Sequence, residues 1–503
     1  MNSIFTDVIK RNSMSECSLC ADAPCSTACP KGFDCAGALR SIWLNNEEFA
    51  SMNLPETSIC TGCDAPCEKA CIKAGRVDIR GLVSALEELK LMDHQTDRVD
   101  MSVLKTDICG IPLDNPFLLS SSIVSSTYEK CARAFESGWA GVSFKTICSM
   151  DIHEASPRYS AINGDNGEII GFKNIEQLSD HTVVEDMMIF RKLKENYPDK
   201  FILASIMGKD EDEWCELAGL CEENGADAIE LNFSCPNMAE GGLGSDIGQI
   251  PELVEKYTAA AVRGCRIPVL AKLTPNVAEM SPAAEAALRG GAAGISAINT
   301  IKSITGINLY TNVSEPAVHG LSALGGYSGE AVKPIALRFI MELGQNSALQ
   351  GKHISGMGGI ETWDDAVEFI LLGSKTVQIT TAVMKYGSRI IEDLKTGLAL
   401  YMNQQGYRSI SEMAGAGLDF VNSSTDDLER DTVIYPKIDK EKCNRCGRCT
   451  ISCADGGHEA LTLTEDRRII LNAKKCVGCH LCVLVCPENA IVSTGKRVSK
   501  PQR

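Results

Sequence analysis

The sequence predicts an α/β protein: a (β/α)8 barrel of the TIM type in the middle of the chain, flanked by two smaller cysteine-rich domains. Three observations carry this reading. Between about residues 100 and 405, short apolar strands alternate with amphipathic helical stretches eight times over. A chain of 503 residues is too long for a single core. The 24 cysteines are clustered: nine lie from Cys17 to Cys71, eight from Cys443 to Cys486, and seven in between. The expected boundaries are 1–95 for an N-terminal helical domain, 96–405 for the barrel, 406–436 for a linker and 437–503 for a C-terminal domain.

Composition narrows the class. Hydrophobic residues make up 44% and charged residues 23%, as in a soluble globular protein. A net charge of −17 with no basic cluster argues against a nucleic-acid partner. No apolar run resembles a signal peptide or is long enough to span a bilayer, so no membrane partner and a cytoplasmic location are expected. There, clustered thiols hold metal more often than they pair as disulfides.

The N-terminal domain opens with Cys17, Cys20, Cys25 and Cys29. Cys35 precedes a helical stretch, Ala36–Met52, and Cys60, Cys63, Cys67 and Cys71 follow it, with CADAPC echoed by CDAPC. Zinc sites use similar spacings. Iron–sulfur clusters are favoured because the other end of the chain carries a plain iron–sulfur pattern. A Leu- and Glu-rich helix, Leu82–Met92, and a polar break at Asp93–Asp97 close the domain.

The eight barrel strands are expected at Pro116–Ser122, Ala140–Thr146, Phe201–Ile206, Ala228–Phe233, Pro268–Leu273, Gly294–Asn299, His353–Met357 and Thr376–Thr381. Helical periodicity lies between them, as in Asp212–Asn224, Glu252–Arg263, Met280–Gly290, Ala331–Leu343 and Thr362–Leu372. An open doubly wound sheet is the alternative, but no strand leads into a GxGxxG turn with an acidic residue about 20 positions on. Catalytic groups of such a barrel sit at the carboxyl ends of its strands. Those ends carry Ser120 to Ser122, Lys145, Asn232 to Cys235, Lys272 to Asn276, Asn299 and Thr300, and Thr380 and Thr381. The fourth strand runs into Ser234-Cys235-Pro236-Asn237 and a glycine-rich loop, a thiol between carboxamides at a mobile edge. The seventh runs into Gly358-Gly359 and a helix opening at Glu361-Thr362. Backbone N–H groups there and near Thr380-Thr381 would cradle a phosphate-bearing cofactor.

The tail spells Cys443-x2-Cys446-x2-Cys449-x3-Cys453 and Cys476-x2-Cys479-x2-Cys482-x3-Cys486-Pro487. This doubled spacing marks a two-cluster ferredoxin-like domain in which the fourth cysteine of each run serves the other cluster. One [4Fe–4S] cluster is thus assigned Cys443, Cys446, Cys449 and Cys486, and the other Cys476, Cys479, Cys482 and Cys453.

With these motifs in place, the chain resembles the dihydropyrimidine dehydrogenase family, and its barrel is similar to dihydroorotate dehydrogenases. The segments NPFLLSSS, SFKTI, GFKNIEQ, LNFSCPN, AKLTPN, AINT, GGYSGEAVKPIALR and SGMGGIETWDDA carry the resemblance, together with the ferredoxin tail. It implies that Ser120, Ser121, Lys145, Lys272, Gly329, Gly358, Gly359, Thr380 and Thr381 hold FMN. It implies that Asn174, Glu176, Asn232, Ser234, Asn237, Asn299 and Thr300 read a pyrimidine base. It makes Cys235 the general acid in reduction of the 5,6 double bond of uracil or thymine, under a loop freed by Gly241, Gly242 and Gly244. At the N-terminus it implies one cluster on Cys17, Cys20, Cys25 and Cys71 and a second on Cys29, Cys63 and Cys67, with Cys60 or Cys35 as fourth ligand and Cys60 preferred.

Three departures from the family matter. No NAD- or FAD-binding domain separates the N-terminal cysteines from the barrel. A separate FAD/NAD(P)H flavoprotein subunit or a ferredoxin is therefore expected as electron donor, in a homodimer or hetero-oligomer. Asn237 stands where long members have histidine and matches dihydroorotate dehydrogenases instead. Val83 stands where the family has a glutamine ligand. The alternatives are a dihydroorotate dehydrogenase-like enzyme, another ene-reductase, or an electron-transfer subunit of a larger complex.

Overall fold

A computed structural model describes residues 14, 16–73, 76–92, 99–164, 167–238 and 243–499. The polar break Asp93–Asp97 and two of the loop glycines, Gly241 and Gly242, lie outside the described residues. The chain divides into two units, Met1–Val421 and Asn422–Arg503.

The first unit is built on the barrel. An antiparallel hairpin precedes it, β1 Thr106–Ile108 and β2 Ile111–Leu113. The strands that follow are β3 Phe117–Leu119, β4 Gly141–Ile147, β5 Tyr159–Asn163, β6 Ile169–Asn174, β7 Phe201–Ile206, β8 Ala228–Asn232, β9 Val269–Lys272, β10 Gly294–Ala297, β11 Ile301–Ser303, β12 Gly325–Ser328, β13 His353–Met357 and β14 Thr376–Ile379. Eight of them close into a parallel barrel in the order β3-β4-β7-β8-β9-β10-β13-β14, and β14 returns to β3 through Val377↔Phe117. All eight expected strands are present; five of them end one to three residues early at the carboxyl end, where the chain turns into the site, and β4 runs one residue further than expected.

The period of two decides what each strand shows the two sides. Val142, Phe144, Ile229 and Leu231 face outward and join the large core beneath the helices. Ser143, Glu230 and Gln378 point inward and bond to one another. At the amino ends, Ile108 and Leu113 of the hairpin pack against Leu118, Phe201, Leu203 and Leu270 and close that end of the barrel.

Two insertions at the carboxyl end were not legible from periodicity. The hairpin β5–β6 follows β4, and β11 and β12 follow β10; they pair antiparallel in the order β11-β12-β6-β5. Gly326↔Asn174 joins the two insertions, so a four-stranded roof covers the strand ends.

The N-terminal module packs its own core around Leu39, Ile42, Ile59, Val77, Leu82 and Leu86. The expected single helix Ala36–Met52 is two helices, Cys35–Trp43 and Glu47–Met52. Asn45 sits at φ +60°, which no helix interior tolerates. The break frees Asn46, whose amide donates to Thr396 at 2.8 Å. The same face meets the barrel helix Ile391–Gln405: Arg40 Nε donates to Asp393 Oδ2 at 2.6 Å and Ser41 Oγ to Asp393 Oδ1 at 2.5 Å. Arg389 donates to the carbonyls of Leu19 at 2.6 Å and Cys20 at 3.2 Å, tying the first cysteine loop to the barrel.

The stretch 406–436, expected as linker, carries structure. The short helix Ile410–Met413 buries both end residues in the barrel unit's core because they are apolar on one side of a helical turn. In the second unit, β15 Thr432–Ile438 already belongs to a sheet, pairing with β18 Ile491–Ser499. Between them lie β16 Leu461–Leu463 paired with β17 Ile469–Leu471, and the helices Arg448–Gly456 and Leu481–Leu484.

The carboxylate of Asp393 is only 2% exposed and is the partner of a largely buried guanidinium. Asp393→Ala leaves Arg40 with only the exposed Glu392 as partner and is expected to destabilise the barrel unit by about 3 kcal/mol in denaturant titration, with earlier proteolytic release of residues 16–92.

Candidate active site

At the carboxyl end of the barrel, beneath the roof, lies a cavity with about 1140 Å³ of atom-free space. Every residue expected to bind cofactor or substrate lines it except Ser234, together with Cys235. Ser234 sits one step behind, accepting from Asn299 Nδ2 at 2.8 Å and donating to Asn232 Oδ1 at 2.8 Å.

The floor is electrostatic. Lys272 Nζ lies 3.2 Å from Glu230 Oε1 and 3.3 Å from Ser120 Oγ. Glu230 is fully buried, and its remaining capacity is taken by Ser143 Oγ at 3.0 Å and Gln378 Nε2 at 2.9 Å. A buried charge pair persists only when its other lone pairs and protons are also satisfied, as here. Beside it, Ser121 and Thr146 are 3.2 Å apart, Thr146 is 2.9 Å from Ser205, and Asn232 Nδ2 donates to Thr146 at 2.8 Å.

One end of the cavity is built for an anion. Gly329, Gly358 and Gly359 have φ of +103°, +125° and +82°, where side chains are strained. A Cβ on Gly359 would stand 2.7 Å from the Lys333 nitrogen, and one on Gly358 2.8 Å from the Ala336 Cβ. Among the described residues, the N–H groups of Gly358 and Gly359 meet no acceptor. Thr381 donates to Ser328 at 3.0 Å at the start of a short helix. One expectation is corrected. The N–H groups of Glu361 and Thr362 both donate to Asp365 Oδ2 at 2.9 Å, because Asp365 closes the capping box of the helix Trp363–Leu371. They are therefore not free to meet a phosphate. The Glu361 carboxylate, which also lines the cavity, is neutralised by Lys385 at 2.7 Å.

The other end carries the thiol. Cys235 is 6% exposed, and burial pushes its thiol up to about 11, against a smaller pull from Lys145 and Lys272. The chain returns past it: Ser245 donates to the Cys235 carbonyl at 2.9 Å, and Gly244, at φ +55°, leaves no room for a Cβ beside that carbonyl. Asn237 Nδ2 donates to the Glu176 carbonyl at 2.7 Å and to Asn174 Oδ1 at 3.3 Å. Glu176 in turn accepts from Arg158 at 3.1 Å. Asn276 crosses to the Thr300 carbonyl at 3.3 Å.

Residues that sequence reasoning did not assign are Thr146, Tyr159, Gln177, Tyr327, Ser328, Met357 and Gln378, all on the cavity wall. Most are on roof strands or inward-facing strand positions. A signal existed for Gln378, a polar residue inside an apolar strand.

The cysteines gather in sets. Cys453, Cys476, Cys479 and Cys482 line one small cavity of the second unit, and Cys449 has Cys482, Cys486 and Cys443 as thiol neighbours. In the N-terminal module Cys17 neighbours Cys20, Cys25 and Cys71. Cys29, Cys35, Cys60, Cys63 and Cys67 line a second small cavity, with Val83 on its wall.

No helix among the described residues is long and apolar enough to cross a membrane. The dihydroorotate dehydrogenase family model matches residues 103–402, and a 4Fe-4S dicluster domain model matches residues 436–493. The chain is 51% identical to the NAD-dependent dihydropyrimidine dehydrogenase subunit PreA of Escherichia coli, over 77% of this chain and 94% of that one. It is 37% identical to the chloroplastic dihydropyrimidine dehydrogenase (NADP(+)) of Arabidopsis thaliana, over 68% and 82%. It is also 37% identical to the catalytic subunit of dihydroorotate dehydrogenase B (NAD(+)) of Pyrococcus abyssi, over 63% and 99%. A crystal structure of a dihydroorotate dehydrogenase from Eimeria tenella superposes with a TM-score of 0.54 at 18% identity, covering 67% of this chain and 94% of that one, which speaks for the fold alone. With a barrel of the matched family over most of its length and half-identical relatives covered nearly end to end, this chain belongs to the dihydropyrimidine dehydrogenase family and is an oxidoreductase acting on CH–CH groups.

Proposed function

We propose that this chain reduces the 5,6 double bond of uracil or thymine to the 5,6-dihydropyrimidine, with FMN in the barrel and Cys235 as proton donor. The observation that carries the reading is the placement of Cys235, buried on the wall of one cavity with Lys145, Lys272, the carboxamides of Asn174, Asn232, Asn237 and Asn299, and the glycine turn. Ser120, Ser121, Lys145, Lys272, Gly329, Gly358, Gly359, Thr380 and Thr381 would hold FMN, with the free glycine amides turned to its phosphate. Bound there, FMN supplies hydride chemistry. The alternating N–H and C=O groups of a pyrimidine suit the amides of Asn174, Asn232 and Asn299, with Glu176, Asn237 and Thr300 around them and Ser234 steadying Asn232 and Asn299.

Cys235 gives its proton to C5 of the base. Its burial suits this task, since a thiol pushed up to about 11 keeps its proton throughout the neutral range. Lys145 and Lys272 place positive charge where negative charge develops on the cofactor. Gly244 and the stitch from Ser245 hold the thiol loop at its far end.

The four C-terminal cysteine positions of each set would hold two [4Fe–4S] clusters, and the N-terminal sets two more, with Cys60 or Cys35 completing the second. Electrons would enter from a separate FAD/NAD(P)H flavoprotein subunit or a ferredoxin, in a cytoplasmic homodimer or hetero-oligomer. PreA is named as a subunit, which supports a partner.

A second reading, oxidation of dihydroorotate, is favoured by Asn237 and by the dihydroorotate dehydrogenase B relative. Anaerobically reduced protein mixed with uracil, thymine or orotate separates the two: reoxidation by uracil and thymine supports the first reading, and reoxidation by orotate alone overturns it.

Cys235→Ala is expected to slow reduction by about 100- to 10,000-fold while flavin content stays at the parental level. The donor must be protonated, so the parental single-turnover rate should be level through neutral pH and fall as pH rises through about 11. Gly359→Ala, which forces a Cβ against the Lys333 backbone at a positive φ, is expected to leave purified protein with roughly tenfold less flavin per chain, read from the fluorescence of flavin released on denaturation, while the iron content persists.

A further inference from the structure

One polar side chain on the cavity wall has no place in the scheme above. Gln378 lies on β14, 2% exposed, between Val377 and Ile379 of the apolar core. It faces the barrel interior and lines the cavity. Its Nε2 lies 2.9 Å from Glu230 Oε2, 3.2 Å from Ser355 Oγ and 3.4 Å from Ser296 Oγ, and all three of these residues are fully buried. Its Oε1 is buried too and meets no hydrogen-bond partner among the described residues.

The amide cannot be satisfied by turning over. A half-turn would set Oε1 against the Glu230 carboxylate, acceptor facing acceptor. Glu230 is itself held in place by Lys272 at 3.2 Å and Ser143 at 3.0 Å, so it does not yield. A buried acceptor without a donor costs free energy, so its retention calls for a donor from outside the folded chain. A molecule in the cavity is the source at hand. One end of that cavity carries the bare glycine amides with Thr380 and Thr381, which follow Gln378 closely along the chain. Towards the other lies Lys272, which shares the Glu230 carboxylate with Gln378. Gln378 thus stands between the anion end and the lysine.

We infer that Gln378 is a cofactor-binding residue whose Oε1 accepts a hydrogen bond from a ribityl hydroxyl of FMN. The inference rests on the reading that FMN occupies this cavity. Between its phosphate and its ring, FMN carries a hydroxyl-bearing chain, and Gln378 stands between the residues assigned to those two ends. A buried polar group that awaits a hydroxyl rejects a ligand without one, because the group is then left unpaired. The same amide ties the cofactor to the floor of the barrel. Its nitrogen holds the carboxylate that pairs with Lys272, and its oxygen holds the chain that links phosphate to ring.

Full-length protein stripped of flavin, with its iron retained, is titrated with FMN and with a flavin phosphate whose side chain is a plain pentyl group. Binding is read from the quenching of flavin fluorescence. Gln378→Met, of similar length but without the acceptor, is expected to bind FMN roughly tenfold more weakly than parental protein and the pentyl flavin within about twofold of it. A merely structural role, acting through Glu230, would weaken both ligands alike. Equal loss with the two flavins, or no loss with either, therefore overturns the inference. N3-methyl FMN, whose ring lacks the N3–H donor, checks the other donor of the cofactor. If the Met substitution costs affinity for the pentyl flavin but none for N3-methyl FMN, the partner is the ring and the ribityl assignment falls. A misfolded Met variant would be recognised by its melting curve, and Gln378→Asn, which draws the acceptor back by one methylene, then carries the same comparison. The underlying reading is tested by the parental protein alone: if it binds no FMN, the cofactor has been misassigned, whatever Gln378 does.

Discussion

The interior of the barrel depends on one buried ion pair. Lys272 and Glu230 meet at 3.2 Å with exposures of 3% and 0%. Burying two charges costs several kcal/mol each, and their attraction alone does not return it. The remaining strands contribute what is missing: Ser143 from β4 and Gln378 from β14 complete the shell of Glu230, and Ser120 completes that of Lys272. A ring of strands that would otherwise fill its centre with valine and leucine instead has a polar floor. The hairpin at the opposite end supplies the apolar packing that this floor forgoes.

That floor divides labour across the cavity. At one end, glycines and hydroxyls leave backbone amides bare, a surface suited to an anion. At the other, apolar burial and a stitched-down loop hold a thiol in its protonated form. The roof joins them, because β6 brings Asn174 and β12 brings Tyr327 and Ser328 to the same wall. The site is thus assembled from two insertions some 150 residues apart and from the barrel mouth, and none of the three encloses it alone.

How much of this was legible follows from what each residue responds to. The barrel strands were legible because outward Val142, Phe144, Ile229 and Leu231 must be apolar in alternation. Lys145 and Lys272 stood out as charges inside apolar strands. Asn174 and Glu176 were found only through resemblance, since the roof strands that carry them are short and half-polar and have no periodicity of their own. The break at Asn45 was missed because its cause lies some 350 residues away, where Thr396 and Asp393 receive the face that the break exposes. Glu361 and Thr362 were misread because the capping role of Asp365 claims the very amides a phosphate would use.

The grip of the barrel on the first cysteine loop has a consequence in time. Arg389 holds the carbonyls of Leu19 and Cys20, and Asp393 holds Arg40, across sequence separations of 370 and 353 residues. A ribosome adding residues at the usual pace needs roughly 20–70 s to cover that distance. The nine N-terminal cysteines therefore emerge first and wait longest for the surface they dock on. During that interval their thiols are open to air oxidation and to stray zinc. The module's own core, around Leu39, Ile42 and Leu86, can form in that interval, and only its docking on the barrel has to wait.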